Sequence, residues 1–566
     1  MEQIVYDPLD RYCKEYRDLF RKNAEEAFEQ FLAESKVDAD ENRKLCAEIF
    51  DLELTREPLE KKLKWRKILR VLMIIAIIVL AVVPFVIVDT TVAIVAGSSA
   101  TLMLIYILES LNGTIQELHE EIADINANIL QKKDQAWKMM EPLNSLFGWD
   151  IPARLIEKTI PILRFDPYFT RERAAELEQD FGYDNSLNEE SSILFSQSGT
   201  ISGNPFVVAE SKFVEMEEKL YTGSKVIHWT SSERGADGRW HSVSHSETLD
   251  ASVYKPYPVF KKTAFVIYGN EAAPNLRFTR TPKGLAEDGF LQEWRRKSKL
   301  KELQKFSRIL DDKSDYTLMG NHEFEVLFET KDRNNETEYR LLFTGVAQRQ
   351  MMGLMKDVTY GYGDDFRFIK QNKINVIFSE HLTDFDLDTN PRDFADYDLI
   401  RTRDNFIQTN QEYFRAVYFA MAPLLAVPIY QQMRTRKKIY GEKIHKSCFW
   451  EWEAIANNLG NKRFKHPKCA TDCILKASHR SEQGKGTVVD VTAHGYAEKH
   501  RVDYVKVRGG DGRYHKVPVE WIEYIPVQKT SPMVVEEHPE FCKGMMNAPE
   551  FYREGMKFRR GIFSKA

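Results

Sequence analysis

The chain has 566 residues, enough for two to four domains, and 43% hydrophobic with 12% aromatic residues is a globular composition. Its 80 basic and 85 acidic residues leave a formal net charge of -5, which excludes a global electrostatic drive toward nucleic acid but not a local patch. Six cysteines in this length exclude a disulfide scaffold and point to a reducing compartment.

The first twenty residues carry Asp7, Asp10, Lys14, Glu15 and Asp18 and no apolar core, so no signal peptide is expected. Residues 1–70 read as a helical arm. Phe20, Ala24, Ala27 and Phe31 share one stripe, Leu45, Ile49 and Leu52 another, and Pro58 is the expected break.

Residues 71–108 are apolar apart from Asp89. The first segment, VLMIIAIIVLAVVPFVIV, would be about 27 Å long as a helix, close to the thickness of a bilayer core. The second is VAIVAGSSATLMLIYIL, with the turn expected at Asp89-Thr90-Thr91 and a small-residue face at Gly97, Ser98, Ser99 and Ala100. The pattern predicts a two-helix transmembrane hairpin, with a buried hairpin as the alternative. Lys61, Lys62, Lys64, Arg66, Lys67 and Arg70 precede it, which predicts a multi-pass membrane protein with two spans and both termini cytoplasmic.

Residues 109–147 carry a heptad seam, Leu111, Ile115, Leu118, Ile122, Ile125 and Ile129. An antiparallel pairing with the first arm into a stalk is the simplest expectation, with self-association through the same seam as its rival. Gly148 and Pro152 mark the end of this region.

Residues 163–400 read as an α+β domain with mixed antiparallel sheet. Thr170 is placed to cap a helix through TRERAAELEQDF. Strands are expected on either side of a Gly203-Asn204 turn, at 225–230, 240–248 and 263–268, and again at 323–329, 339–344 and 374–379. Residues 288–312 read as a helix with a basic face, Arg295, Arg296, Lys297, Lys299, Lys301, Lys305 and Arg308. The acidic run from Asp384 to Asp398 lacks the glycine and terminal glutamate of a calcium loop and reads as a polar loop.

The stretch SGTISGNPFVVAESKFVEMEEKLYTGSKVIHW, through Ile201, Ser202, Gly203, Pro205, Phe206, Glu210 and Gly223, resembles the signature of a family of uncharacterised bacterial membrane proteins. Its members join an N-terminal transmembrane hairpin to a soluble domain of unknown function. The resemblance covers roughly residues 60–390 and implies an architecture but no activity.

Residues 401–440 contain YFRAVYFAMAPLLAVPIY, in which Arg415, Pro423 and Pro428 argue for a buried or membrane-apposed junction helix rather than a third span. Residues 441–530 begin with a cluster of cysteine and histidine: His445, Cys448, His466, Cys469 and Cys473, followed by His479. Thiolates and imidazoles at this spacing suit a tetrahedral structural zinc, while the mixed knuckles and the intervening WEWEAIANN helix suit ordinary buried cysteines. The β-rich run from Gly486 to Val527 reads as a small β-barrel-like module with an Asp511-Gly512 hairpin turn. Arg501, Lys506, Arg508, Arg513 and Lys516, with Tyr504 and Tyr514, form its basic and aromatic residues. Residues 531–566 read as a tail.

No phosphate-binding glycine loop, HExxH or GxSxG is present. His322 with Glu323 and His500 with Asp503 are the nearest approach to acid–base pairs. The leading expectation is a membrane-anchored cytoplasmic scaffold or interaction protein, partnered by the lipid bilayer and by protein or by itself through the helical arms. A membrane-tethered enzyme built around the Cys/His cluster and a tethered nucleic-acid binder using the barrel are the alternatives.

Overall fold

The structure is a computed structural model that describes residues 7–86, 90–234, 239–286, 289–307, 316–432, 446–483, 486–538 and 557–565. It divides into two compact units, one of Glu25–Phe147 with Pro391–Thr409, the other of Met1–Ala24, Gly148–Asn390 and Asn410–Ala566.

The first unit is helical. Ala39–Val86 is one continuous helix that passes through Pro58, and Asn112–Asn144 returns alongside it. Paired positions add to a nearly constant number, as antiparallel helices require: Lys132 with Glu48 at 2.5 Å, Lys133 with Glu53 at 2.7 Å, and Arg56 with Asn126 at 3.1 Å. Ile49, Ile129 and Ala136 pack at one level and Ile107, Leu111 and Ile115 at another, so the heptad seam is the buried face. Phe147, Phe394 and Phe406 cluster at the far end.

The transmembrane hairpin is not found. Among the described residues no helix is long and apolar enough to cross a membrane. The described apolar part of the first helix is Val71–Val86, and the second helix, Thr90–Tyr106, has 17 residues where a span needs about 20. The expected turn falls partly on residues 87–89, outside the described residues. The two-span topology, the lipid-bilayer partnership and the membrane localisation built on the hairpin are therefore overturned. What the apolar run does form is a helix-to-helix contact in which Met73 and Ile77 pack against Ile107, Leu111 and Ile115.

The second unit is α+β with two sheets. The first, ordered β1-β2-β3-β4-β7-β6-β5, contains β1 (Leu163–Phe165), β2 (Ser191–Ile201), β3 (Asn204–Arg234), β4 (Trp240–Gly269), β5 (Arg277–Arg280), β6 (Phe366–Gln371) and β7 (Ile374–Ser379). The second, ordered β11-β12-β10-β9-β8, contains β8 (Ile474–Gln483), β9 (Gly486–Arg508), β10 (Tyr514–Glu537), β11 (Lys557–Arg559) and β12 (Ile562–Lys565). Every pairing is antiparallel. Ser202 and Gly203, both at positive φ, make the tight turn between β2 and β3.

The helix Phe449–Leu459 lies between the sheets and buries both of its faces. Trp450 and Ala454 pack with Val207, Phe265 and Ile267 of the first sheet, while Trp452, Ile455 and Leu459 pack with Val489, Val491 and Val535 of the second. Its two glutamates are buried and satisfied: Glu451 accepts from Ser196 and the Phe169 N–H, Glu453 from the Ile193 N–H and from Lys476.

Four expectations change here. The second sheet is open, not a barrel: its order runs from β11 to β8, and among the described residues no pairing joins these two edge strands. The strands expected at 323–329 and 339–344 are the helices His322–Phe328 and Glu336–Leu342. Asn321 and Asn335 cap them, Phe324 stacks on Phe328, and Tyr339 lies tilted against Phe343 four residues on, so helical spacing outweighs the β-rich composition. The expected tail contributes β11 and β12. Separate short strands merge: β3 pairs with β4 without a break from Phe206 to Arg234. The junction segment is buried through Phe414, Ala416, Val417 and Leu425, within the helix Leu399–Leu425.

Candidate functional site

Between the helix Phe449–Leu459 and β8 the chain turns at His466–Cys469, where the Cys469 N–H donates to the His466 carbonyl at 2.9 Å. The next residues are laced to β9. The Ala470 N–H donates to the Tyr496 carbonyl at 2.8 Å, and the Tyr496 N–H donates to Thr471 Oγ1 at 3.0 Å. Asp472 accepts from the Cys473 N–H at 2.8 Å, from Asn461, and from Lys212 of β3 at 3.0 Å. Asp472 thus ties this turn to the first sheet.

The lacing brings two sulfurs together. Cys469 Sγ and Cys473 Sγ are 3.7 Å apart, both buried in the core beside Leu475, Val491 and Ala493. Room for them comes from Gly495 on β9: a Cβ there would lie 2.5 Å from Cys469 Sγ and 3.0 Å from Cys473 Sγ. Burial, and then the neighbouring Cys469, push the Cys473 thiol up to about 12. Cys473 is 1% exposed and Cys469 8%, so Cys469 is the less buried residue of the pair. Beside the pair lies a cavity of about 400 Å³ lined by Ile474, His494, Gly495, Tyr496, Val527 and Phe260, among others.

The other expected zinc ligands go elsewhere. Cys448 heads the helix Phe449–Leu459, its N–H donates to the Phe169 carbonyl at 3.0 Å, and it packs in the other core cluster, where burial raises its thiol pKa. His466 uses Nδ1 to accept from the Lys468 N–H at 3.1 Å. His479 lies 3.5 Å from Glu482 on β8. His445 lies outside the described residues. Among the described residues no three His, Cys, Asp or Glu side chains are placed to hold a metal ion. An enzyme assembled around the Cys/His cluster therefore loses its site, and a nucleic-acid binder its barrel.

Other groups singled out by sequence are engaged structurally. Asp503 pairs with Lys255 at 2.6 Å, which holds its carboxyl below the usual range. Asp388 of the acidic run pairs with Arg559 at 2.9 Å. Glu325 and Arg333 form a buried pair at 2.9 Å, with the guanidinium between the rings of Tyr316 and Tyr339. The Cys-x3-Cys spacing was visible in the sequence, but the partner that makes it a contact, Gly495, is 22 residues further on and carries no motif.

No protein-family model, no curated protein and no solved structure matches this chain, so the resemblance to bacterial membrane-hairpin proteins is overturned along with the hairpin itself.

Proposed function

We propose that Cys469 and Cys473 form a reversible dithiol–disulfide couple, and that the protein responds through it to the thiol redox state of its surroundings. The observation that carries the reading is the 3.7 Å contact between two sulfurs in a space cleared by Gly495. A disulfide bond is about 2.05 Å long, so the sulfurs need to close by about 1.7 Å.

The chemistry requires an oxidant, and a small-molecule disulfide is the natural class. Cys469, the less buried residue of the pair, attacks one sulfur of the disulfide as its thiolate and expels the first small thiolate. Cys473 then attacks the Cys469 sulfur and expels the second, its thiol proton leaving with the departing group. Two protein thiols are oxidised to one disulfide while one small disulfide is reduced to two thiols. The high pKa of Cys473 keeps it protonated near neutrality, so its attack on the mixed disulfide waits on loss of the thiol proton and is the slower of the two steps. Drawing the sulfurs together pulls on Asp472 and so on its link to Lys212, which gives oxidation a route to the contact between the two sheets.

The test is equilibration of the full chain in buffers of graded reduced and oxidised glutathione, followed by alkylation and peptide mass spectrometry. A linked Cys469–Cys473 peptide, two hydrogens lighter and reversed by excess reduced glutathione, is expected. Alkylation of both sulfurs at every ratio, or bonds to other cysteines only, overturns the reading.

A further inference from the structure

Beyond the core, β9 and β10 continue as a two-stranded ribbon. One face, through Val505, Val507, Val517 and Val519, packs on Ile227, Leu249 and Ala251 of β3 and β4. Alternation along a strand turns the next residues outward. Tyr504, Lys506 and Arg508 on β9 and Tyr514 and Lys516 on β10 are all exposed, with Tyr504 at 64% and Tyr514 at 71%.

The register on this outer face is unusual. Lys506 stands directly opposite Lys516, and Arg508 opposite Tyr514. Like charges directly opposite destabilise a strand pair. Elsewhere the same ribbon balances its charges, with Arg501 against Glu523 at 2.8 Å and Asp503 against Lys255 at 2.6 Å. Lys506, Arg508 and Lys516 have no ion pair among the described residues. The ribbon therefore concentrates uncompensated positive charge between two exposed tyrosines, a placement that costs stability unless an anion covers it.

From Ala497 to Arg508 the second edge of β9 has no strand partner among the described residues, since β8 stops pairing at His494 and the turn before β8 takes up the Tyr496 backbone. Its backbone donors and acceptors are open to an added strand. The geometry points to this ribbon as a docking site for an extended acidic segment of another protein. Such a segment adds to the β9 edge and sets alternate carboxylates beside Lys506 and Arg508, with Tyr504 and Tyr514 covering its side chains. Charge complementarity over a short length favours this occupant. The cationic stretch ends at Glu520, which stands opposite Val502 on the same face, so a long phosphate backbone would meet a carboxylate where a short acidic strand does not.

The test is fluorescence anisotropy of the full chain with a labelled peptide of alternating glutamate and threonine. Binding at low salt is expected to weaken at least tenfold in Lys506→Glu/Lys516→Glu, to weaken less in Lys506→Gln/Lys516→Gln, and to fall as salt screens the charges. Circular dichroism identical to the parent establishes that the variants fold. No binding at low salt, equal binding by the charge-reversed variant, or tighter binding of a labelled oligothymidylate than of the peptide overturns the proposal.

Discussion

Gly495 and Cys469 are so placed that the hydrogen on the glycine Cα is all that fits against the sulfur: a methyl group at 495 would lie 2.5 Å from Cys469 Sγ. Gly495→Ala should therefore destabilise the reduced protein by about 1–3 kcal/mol, the usual cost of overpacking a core. In a Cys469→Ala background the same change should cost clearly less, because the clashing sulfur is gone. Urea unfolding of the four proteins in a double-mutant cycle measures the difference, and simple additivity would mean that the Cys473 sulfur or the Asp472 carbonyl, both 3.0 Å from the same point, sets the cost instead.

The β9–β10 ribbon and the matching length of β3 and β4, itself a two-stranded ribbon, meet through backbone. A Cβ at Gly223 of β3 would lie 2.0 Å from the Pro518 carbonyl oxygen. Gly223→Val should separate the ribbons and raise hydrogen exchange at Leu249, Ala251, Val517 and Val519, the small core they share. Exchange in the helix Phe449–Leu459 should not change. Unaltered protection at those four positions would show that the ribbons accommodate the side chain.

Glu325 and Arg333 form a buried pair, with Tyr316 also donating to Glu325 at 2.9 Å. Removing one partner strands the other charge, so Arg333→Met should cost about 3–5 kcal/mol. The double replacement Glu325→Gln/Arg333→Met should recover part of that loss. Thermal unfolding of the single and double variants distinguishes a paired charge from two independent packing losses.

Lys370 on β6 is buried and donates to the carbonyls of Ala272 at 3.1 Å and Asn372 at 2.6 Å, with no carboxylate in hydrogen-bond contact. Burial pushes its pKa down to about 7, against an upward pull from Glu338. Between about 7 and the ordinary lysine value the unfolded chain holds the proton that the folded chain has released. Stability from this group therefore rises with pH across that window and is lost as pH falls through about 7. The difference in unfolding free energy between the parent and Lys370→Met should increase from pH 7 to pH 10. A flat difference would mean that the ammonium stays charged among its carbonyls.

Local order was readable where one segment carries its own instruction. Thr170 accepts from the Arg173 N–H as a cap, the turn expected at Gly203-Asn204 falls one residue earlier at Ser202-Gly203, and the seam from Leu111 to Ile129 is the buried face of its helix. The helices at His322–Phe328 and Glu336–Leu342 are hidden in the sequence, because their aromatic, β-favouring composition masks the asparagine caps that start them.

The site was half legible. Cys469 and Cys473 stand four apart in sequence, and that spacing suggested a metal because histidines stand nearby. In the fold those histidines serve a turn and a strand, and what the two sulfurs share is a gap on β9.

The sequence by itself determined which stretches are helix or strand wherever periodicity, caps and turns agree, because those signals act over a few residues. Only the tertiary structure decided that the described part of the apolar run packs as a helix pair with no helix long and apolar enough to cross a bilayer, that the second sheet stays open, and that Gly495 lies against two cysteines. Each depends on contacts between residues far apart in the chain, and no local pattern encodes which distant backbone will arrive within reach of a side chain.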